Sequence, residues 1–499
     1  MSEKSFINVP LNRVEGDLEI RVEIEDGVVR DAWCSGTMFR GFERILQGRA
    51  ALDGLLLTPR ICGICGTSHQ AAAAAALSRI AGITPPPDAR RVIDLVLMCE
   101  HIQSDMRHGF LMFTADFVNP AYKDNPLYEE ACRRYAPLKG ETVIEVIRET
   151  KKVLEINAIL GGQWPHSSFI VPGGIVSRPN DTELLKCRMI LKHYRKWYEN
   201  RILGCSIERF GEIRSAGKFD AWLDEKQARR ESDLGFYVRY SRKTGLDKIG
   251  SGCTNFLSFG STEPPGCSGT DSRLFPAGFL HQGIIFDFAQ ENISEHVATS
   301  WFLDYTGGKH PFEGETRPFA SGYEGKKYSW AKAPRYKDLP AETGPLADML
   351  VSGNSLIADM AAVEGHSAFL RELARLLRPA ILIPAMEQCL SEIRSNAEFY
   401  ISPGEISEGE GFGLAGAARG GLGHWVKIRE GKIAHYQIIT PTAWNLSPRD
   451  SNDVRGPAEE ALIGTEVRDP ANPVELGHVI RSFDACLVCT VHAVVMDAC

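Results

Sequence analysis

Val92-Ile-Asp-Leu-Val-Leu-Met-Cys-Glu-His-Ile-Gln-Ser-Asp-Met-Arg-His-Gly-Phe-Leu-Met-Phe113 sets apolar side chains at Val92, Leu95, Val96, Cys99, Ile102, Met106, Phe110 and Phe113. These three- and four-residue steps describe about six turns of one buried helical face. Residues 142–160, 182–202 and 346–377 also read as helices, with looser periodicity. Toward the start, Asp17-Leu-Glu-Ile-Arg-Val-Glu-Ile-Glu25 alternates polar and apolar residues, as a half-buried strand does. Asp26-Gly27 is a hairpin turn signal, and Val28-Val29 begins the return strand. A second hairpin is predicted at Trp425-Val-Lys-Ile-Arg-Glu, Gly431-Lys432 and Ile433-Ala-His-Tyr-Gln-Ile-Ile439. Residues 250–270 and 306–345, rich in Gly, Pro and Ser, are expected to form long ordered loops. The expected fold class is therefore α+β and mainly α, a large helical core with small β-hairpins or sheets near both ends.

Composition narrows the function classes. The chain has 499 residues, 24% charged and 43% hydrophobic, values close to those of soluble globular proteins. Fifty-six basic and 64 acidic residues give a net charge of −8. With no basic tail or stripe, nucleic acid is excluded as the main partner. No apolar run reaches the roughly 18 residues of a transmembrane segment. Met1-Ser-Glu-Lys-Ser-Phe has no apolar signal region, so the chain is not expected to direct its own export.

Nine of the 13 cysteines stand alone: Cys34, Cys99, Cys132, Cys187, Cys205, Cys253, Cys267, Cys389 and Cys499. Most are expected to be inert core residues. The other four form two pairs, Arg60-Ile-Cys62-Gly-Ile-Cys65-Gly and Asp484-Ala-Cys486-Leu-Val-Cys489-Thr-Val-His492. Each pair can direct two thiolates at one metal ion. A structural zinc site and a thioredoxin-like redox pair are the plainer readings. Zinc ribbons usually close loops of about 15–20 residues, whereas 420 residues lie between Cys65 and Cys486. Soft thiolates also suit nickel and iron.

The flanking residues separate these readings. Arg60-Ile-Cys-Gly-Ile-Cys65 near one end and Asp484-Ala-Cys-Leu-Val-Cys-Thr-Val-His492 near the other resemble the nickel–iron hydrogenase large subunit, and the wording Asn12-Arg-Val-Glu-Gly-Asp17 and Phe39-Arg-Gly-Phe-Glu-Arg44 resembles its cytoplasmic uptake and sensory branch in particular. The resemblance runs through Asn12-Arg-Val-Glu-Gly16, Ser35-Gly-Thr-Met-Phe-Arg-Gly-Phe-Glu43 and Gly161-Gly-Gln-Trp-Pro-His166. It continues in Ile293-Ser-Glu-His296, His310-Pro-Phe-Glu-Gly-Glu315, Tyr328-Ser-Trp-Ala-Lys-Ala-Pro-Arg-Tyr336 and Ala418-Arg-Gly-Gly-Leu-Gly-His-Trp425.

The resemblance implies an oxidoreductase that runs H2 ⇌ 2H⁺ + 2e⁻ by heterolytic cleavage, most simply in the direction of H2 uptake. It implies a nickel–iron centre, with Cys62 and Cys486 as terminal nickel ligands and Cys65 and Cys489 bridging to iron. The iron would carry carbon monoxide and cyanide. Cys486 matches the first proton acceptor and Glu15 the relay that takes the proton from it. Arg419 matches the arginine over the open face of the metals, with Asp116 and Asp484 as the carboxylates that fix it. His69 matches a histidine that hydrogen-bonds a cysteine sulfur. Glu43, the Leu446 carbonyl and His492 match a buried Mg²⁺ site, whose hard oxygen and nitrogen donors suit that ion. Ala485 and Ala418 stand where the family usually has proline, which loosens the backbone beside the site.

Further expectations concern processing and partners. Residues 1–492 are expected to form a single catalytic domain, and 493–499 a propeptide cut off after His492 by a maturation endopeptidase once nickel-insertion proteins have acted. With no iron–sulfur motif among the lone cysteines, an iron–sulfur small subunit is implied as the electron-accepting partner in a heterodimer. The location implied is cytoplasmic, with peripheral membrane association through partners as a further option. An H2-sensing regulatory subunit is the alternative function. The related respiratory-complex subunit lacks the four cysteines and fits less well.

Overall fold

The computed structural model describes residues 4–14, 16–261, 274–322 and 325–486. Its N-terminal sheet is antiparallel, ordered β1 (Lys4–Leu11), β2 (Leu18–Glu25) and β3 (Val28–Gly36). Asp26 and Gly27 take the left-handed angles, φ 52° and 76°, that a tight two-residue hairpin needs. Ile20, Val22 and Val29 share a buried cluster with Leu462, Val479 and Ile480. The N-terminal sheet is therefore packed against the segment from Leu462 to Ile480. Glu459 adds a polar tie by accepting the Cys34 amide at 2.9 Å and the Tyr328 hydroxyl at 2.7 Å. Burial pushes the Glu459 carboxyl up to about 7.

The helical body holds most of the core. It includes α1 (Gly66–Ile80), α2 (Pro87–Arg107), α3 (Glu141–Val153) and α4 (Asp181–Trp197). The apolar face of α2 is buried as its periodicity predicts, and a wide π-helical turn, His108–Phe113, extends it. Two predicted helices end earlier than expected. The first stops at Val153 before a short second helix, and the other becomes a π turn at Tyr198.

The loop predicted over 250–270 contains a strand instead. β4 (Phe256–Ser261) is fully buried and pairs with β5 (Phe275–His281), which pairs with β6 (Ile284–Phe286). Apolar Phe256, Leu257 and Phe259 outweigh the flanking glycines there. In the second predicted loop, Ala333–Tyr336 forms β8 against β7 (Ile293–His296).

The expected 346–377 helix is three helices, Pro345–Val351, Ser355–Glu364 and α5 (Ala368–Glu392). Gly353 and Gly365 break it with φ of 69° and 78°, and Asn354 and Ser367 cap the restarts. The third helix runs well past the predicted end, through Pro379 and Pro384.

Near the end, β9 (Gly409–Ala417), β10 (Gly420–Arg429) and β11 (Lys432–Ile439) form an antiparallel sheet. Beyond it lies α6 (Val474–Ser482). The fold is α+β and mainly α, with several small sheets. No single helix among the described residues is long and apolar enough to cross a membrane.

One contact fixes the position of α1 against the last sheet. The run of alanines in α1 lies directly on the glycine-rich backbone of β9. A methyl group added to Gly413 would fall 1.9 Å from the Ala72 carbonyl oxygen and 2.7 Å from the Ala76 nitrogen. Only glycine permits that approach. Gly413→Ala should therefore cost about 3 kcal/mol or more. Chemical denaturation checks this against Gly217→Ala, where the methyl meets open space and stability should hold or rise.

Candidate metal centre

The first cysteine pair is presented by a turn and a helix start. A short 3-10 turn, Thr58–Ile61, ends at Cys62, and Cys65 is the N-cap of α1. The Thr58 hydroxyl donates to the Gly54 carbonyl at 2.7 Å, and Arg40 donates to the Arg60 carbonyl at 3.1 Å and to that of Ile61. Gly66 lets the loop fold back, since a Cβ there would lie 2.9 Å from the Pro59 carbonyl oxygen. The third cysteine arrives from the other end of the chain. After α6, Asp484 turns the backbone at φ 54°, a left-handed conformation that Asp tolerates better than most residues. The Cys486 amide then donates to the Thr442 hydroxyl at 2.9 Å.

These pieces converge. Sγ of Cys62 and Sγ of Cys486, 424 positions apart, lie 3.6 Å from one another. Sγ of Cys65 joins them, all three within 4.8 Å and all buried. This spacing is too long for a disulfide of about 2.05 Å. A metal with bonds of about 2.3 Å holds two thiolates roughly 3.3–3.8 Å apart, which matches. Five of the lone cysteines lie in desolvated surroundings. Burial pushes Cys34 and Cys99 well above the usual thiol range, and Cys187, Cys253 and Cys389 up to about 12. Such thiols stay protonated and inert.

Arg419 stands over the cluster from the tip of the β9–β10 hairpin. Ala417 pairs with Gly420, so Ala418 and Arg419 form a buried two-residue turn. Arg378 of α5 anchors that tip by donating to the Ala418 carbonyl, while it grips Asp105 of α2 with two hydrogen bonds of 2.7 and 2.8 Å. Arg419 Nε donates to Asp484 Oδ1 at 2.9 Å. Burial works against the charged guanidinium. Asp484, then Cys486, Cys62 and Cys65, outweigh that penalty and hold Arg419 well above its ordinary value. Nη1 of Arg419 is buried with no hydrogen-bond partner among the described residues. An orphaned donor beside three convergent thiols fits an anionic thiolate–metal centre.

The family model for nickel-dependent hydrogenases matches residues 40–130 and 236–492. The chain belongs to the nickel-dependent hydrogenase family. It is a hydrogenase large subunit, an oxidoreductase acting on H2 through a nickel–iron centre. It is 32% identical to the periplasmic [NiFeSe] hydrogenase large subunit of Desulfomicrobium baculatum, over 97% of this chain and 94% of the relative. The hydrogenase-2 large chain of Escherichia coli K12 is 28% identical over 100% and 98%, and the uptake hydrogenase large subunit of Rhodobacter capsulatus 28% over 98% and 95%. Among solved structures, the as-isolated oxidised Ni-Fe-Se hydrogenase of D. vulgaris Hildenborough superposes with a TM-score of 0.85. It is 30% identical, covering 98% of this chain and all of that one.

Within this hydrogenase subunit the expected residues fall into three groups. Cys62, Cys65, Cys486, Arg419 and Asp484 come together. Glu15, Cys489, His492 and residues 493–499 lie outside the described residues, as do Cys267 and Cys499.

Asp116 is a correction. It does not meet Arg419, because two other guanidiniums take its oxygens, Arg13 on Oδ1 and Arg481 on Oδ2. Those two, together with His478, outweigh the burial penalty and hold Asp116 below the usual carboxylate range. Arg481 also donates to the Asn12 carbonyl at 3.2 Å and to its side-chain oxygen at 2.9 Å. Asp116 therefore fastens the segment leading to Glu15.

Glu43 is buried, accepting the Ile438 amide at 2.9 Å and the Thr316 hydroxyl, with Lys332 at 3.7 Å. Leu446 is buried at the C-terminal end of a short helix, Pro441–Asn445. His69, in the first turns of α1, bonds His424 through its ring.

Several residues at the site were missed from sequence. Glu295 sits beside Lys332 and accepts from Gln437 at 2.7 Å. Beneath Asp484, Arg375 and His108 both approach within 3.8 Å, and Glu372 contacts them at 2.6 and 3.2 Å. The available signal was Arg371, Arg375 and Arg378, recurring at helical steps in an otherwise apolar stretch. Replacing Asp484 with Asn would leave Arg419 buried without its closest counter-charge. Asp484→Asn should lower stability by about 3–5 kcal/mol, read as a shift in the urea midpoint at neutral pH.

Proposed function

We propose that this chain is the H2-oxidising catalytic subunit of a two-subunit enzyme. In this reading Cys62, Cys65, Cys486 and Cys489 would hold the nickel–iron centre, Cys62 and Cys486 as ligands of nickel alone and Cys65 and Cys489 as ligands shared with iron, with carbon monoxide and cyanide as the iron's other ligands. The observation that carries it is the 3.6 Å approach of sulfurs from opposite ends of the sequence, under the orphaned Arg419 donor. The nickel–iron pair, when bound, supplies the Lewis-acid and redox chemistry of heterolytic H2 cleavage.

The protein's own residues handle charge and protons. Arg419 cannot readily deprotonate and presents a fixed fork of donors, so it orients the small molecule at the open face and adds no mobile proton. Asp484 holds that fork in place. Sγ of Cys486 takes the proton first and the Glu15 carboxylate receives it, with Arg13 and Asp116 fixing the chain just before Glu15. His69 donates to a cysteine sulfur. Glu43, the Leu446 carbonyl and His492 are assigned to Mg²⁺, a role supported by the buried, oxygen-rich surroundings of Glu43.

Residues 1–492 would form one catalytic domain and 493–499 a propeptide removed by an endopeptidase. An iron–sulfur small subunit would carry electrons away. A cytoplasmic location rests on the wording of the N-terminal motifs, and the periplasmic relative weighs against it. A sensory role is the second reading, and the 493–499 tail favours the enzyme over it.

Metal analysis and infrared spectroscopy of the co-expressed heterodimer test the centre. Nickel, iron and bands from bound diatomic ligands are expected, with an intact mass ending at His492. Zinc alone would overturn the reading. Glu15→Gln should keep both metals yet slow H/D exchange by roughly 100-fold, and unchanged exchange would remove Glu15 from the relay.

A further inference from the structure

Three buried side chains on three elements form one hydrogen-bonded line. His69 on α1 places Nδ1 3.0 Å from Nε2 of His424 on β10. His424 Nδ1 lies 2.9 Å from the hydroxyl of Tyr436 on β11. All three are at most 2% exposed. The Tyr436 ring is wedged against Gly54, where a Cβ would come within 3.3 Å of it, just before the turn that presents Cys62.

We propose that His424 and Tyr436 are positioning residues that fix the tautomer and ring orientation of His69, and so tune the cysteine sulfur His69 serves. This rests on the reading of the metal centre above.

A neutral imidazole has one donor nitrogen and one acceptor, so a line of two imidazoles can run in only two directions. A metal-bound thiolate accepts and cannot donate, which selects one of them. The Tyr436 O–H donates to His424 Nδ1, His424 Nε2–H donates to His69 Nδ1, and His69 then donates through Nε2 to sulfur. Burial pushes the Tyr436 hydroxyl above its ordinary value, so the phenol keeps the proton this direction requires. Each bond polarises the next in a low-dielectric interior, and partners one step beyond a ligand set its basicity. Arg419 works on the same cluster from the β9–β10 tip, while this line reaches it from within the β10–β11 sheet.

The test compares the assembled heterodimer with its Tyr436→Phe, His424→Ala and His424→Gln variants. Tyr436→Phe removes one oxygen and keeps the packing. It should retain parental nickel and iron, shift the infrared bands of the iron-bound diatomic ligands, and lower H2 oxidation about tenfold. His424→Ala should shift the bands further. His424→Gln, whose amide can still donate to His69, should bring them back toward the parent. Parental bands and metal content in both Tyr436→Phe and His424→Ala would reduce the line to core packing and overturn the proposal. A parent without nickel or diatomic bands would overturn the metal-centre reading itself, and the positioning role with it.

Discussion

The seating of α1 on the bare backbone of β9 decides where the chemistry can happen. Ala76 lies by Gly411 and Ala72 by Gly413, so helix and strand run in opposite directions. The N-terminal end of α1, with Cys65 and His69, therefore comes level with the hairpin tip that carries Arg419. Larger side chains at the contact would push the helix off the sheet and carry the thiols away from the guanidinium together. Small residues here serve as a spacing device.

The second constraint is electrostatic. The interior around the site holds Arg371, Arg375, Arg378 and Arg419, each matched to a carboxylate: Glu342, Glu372, Asp105 and Asp484. Buried pairs of this kind add little net stability, but removing one member is severe. They hold the polypeptide in one arrangement about the thiols. Arg378 illustrates the point, since a single guanidinium joins two long helices to the hairpin turn.

Much of this was legible in the sequence. The periodicity of α2 and the alternation of β2 reported their own burial, because each face meets one kind of environment. The four paired cysteines and their flanks identified the family. Other features were hidden for physical reasons. The buried strand Phe256–Ser261 lies among glycines and prolines whose local preference for loops is overridden by packing, and the break at Gly353 sits inside a continuous apolar pattern. Asp116 was matched to Arg419 by the family resemblance but meets Arg13 and Arg481, because a likeness in sequence does not reveal which of several guanidiniums a carboxylate will choose. His424, though inside a family-like stretch, and Tyr436 gave no sign of their pairing, since a polar side chain in a strand looks the same whether it meets water or another ring.

The convergence of Cys62 and Cys486 also has a consequence in time. At about 5–20 residues per second, a ribosome needs roughly 20–85 s to travel the 424 positions between them. Through that interval Cys62 and Cys65 lack the third thiol of their cluster. The Cys486 sulfur is among the last parts of the polypeptide to be made, so the three-thiol cluster can close only late in synthesis.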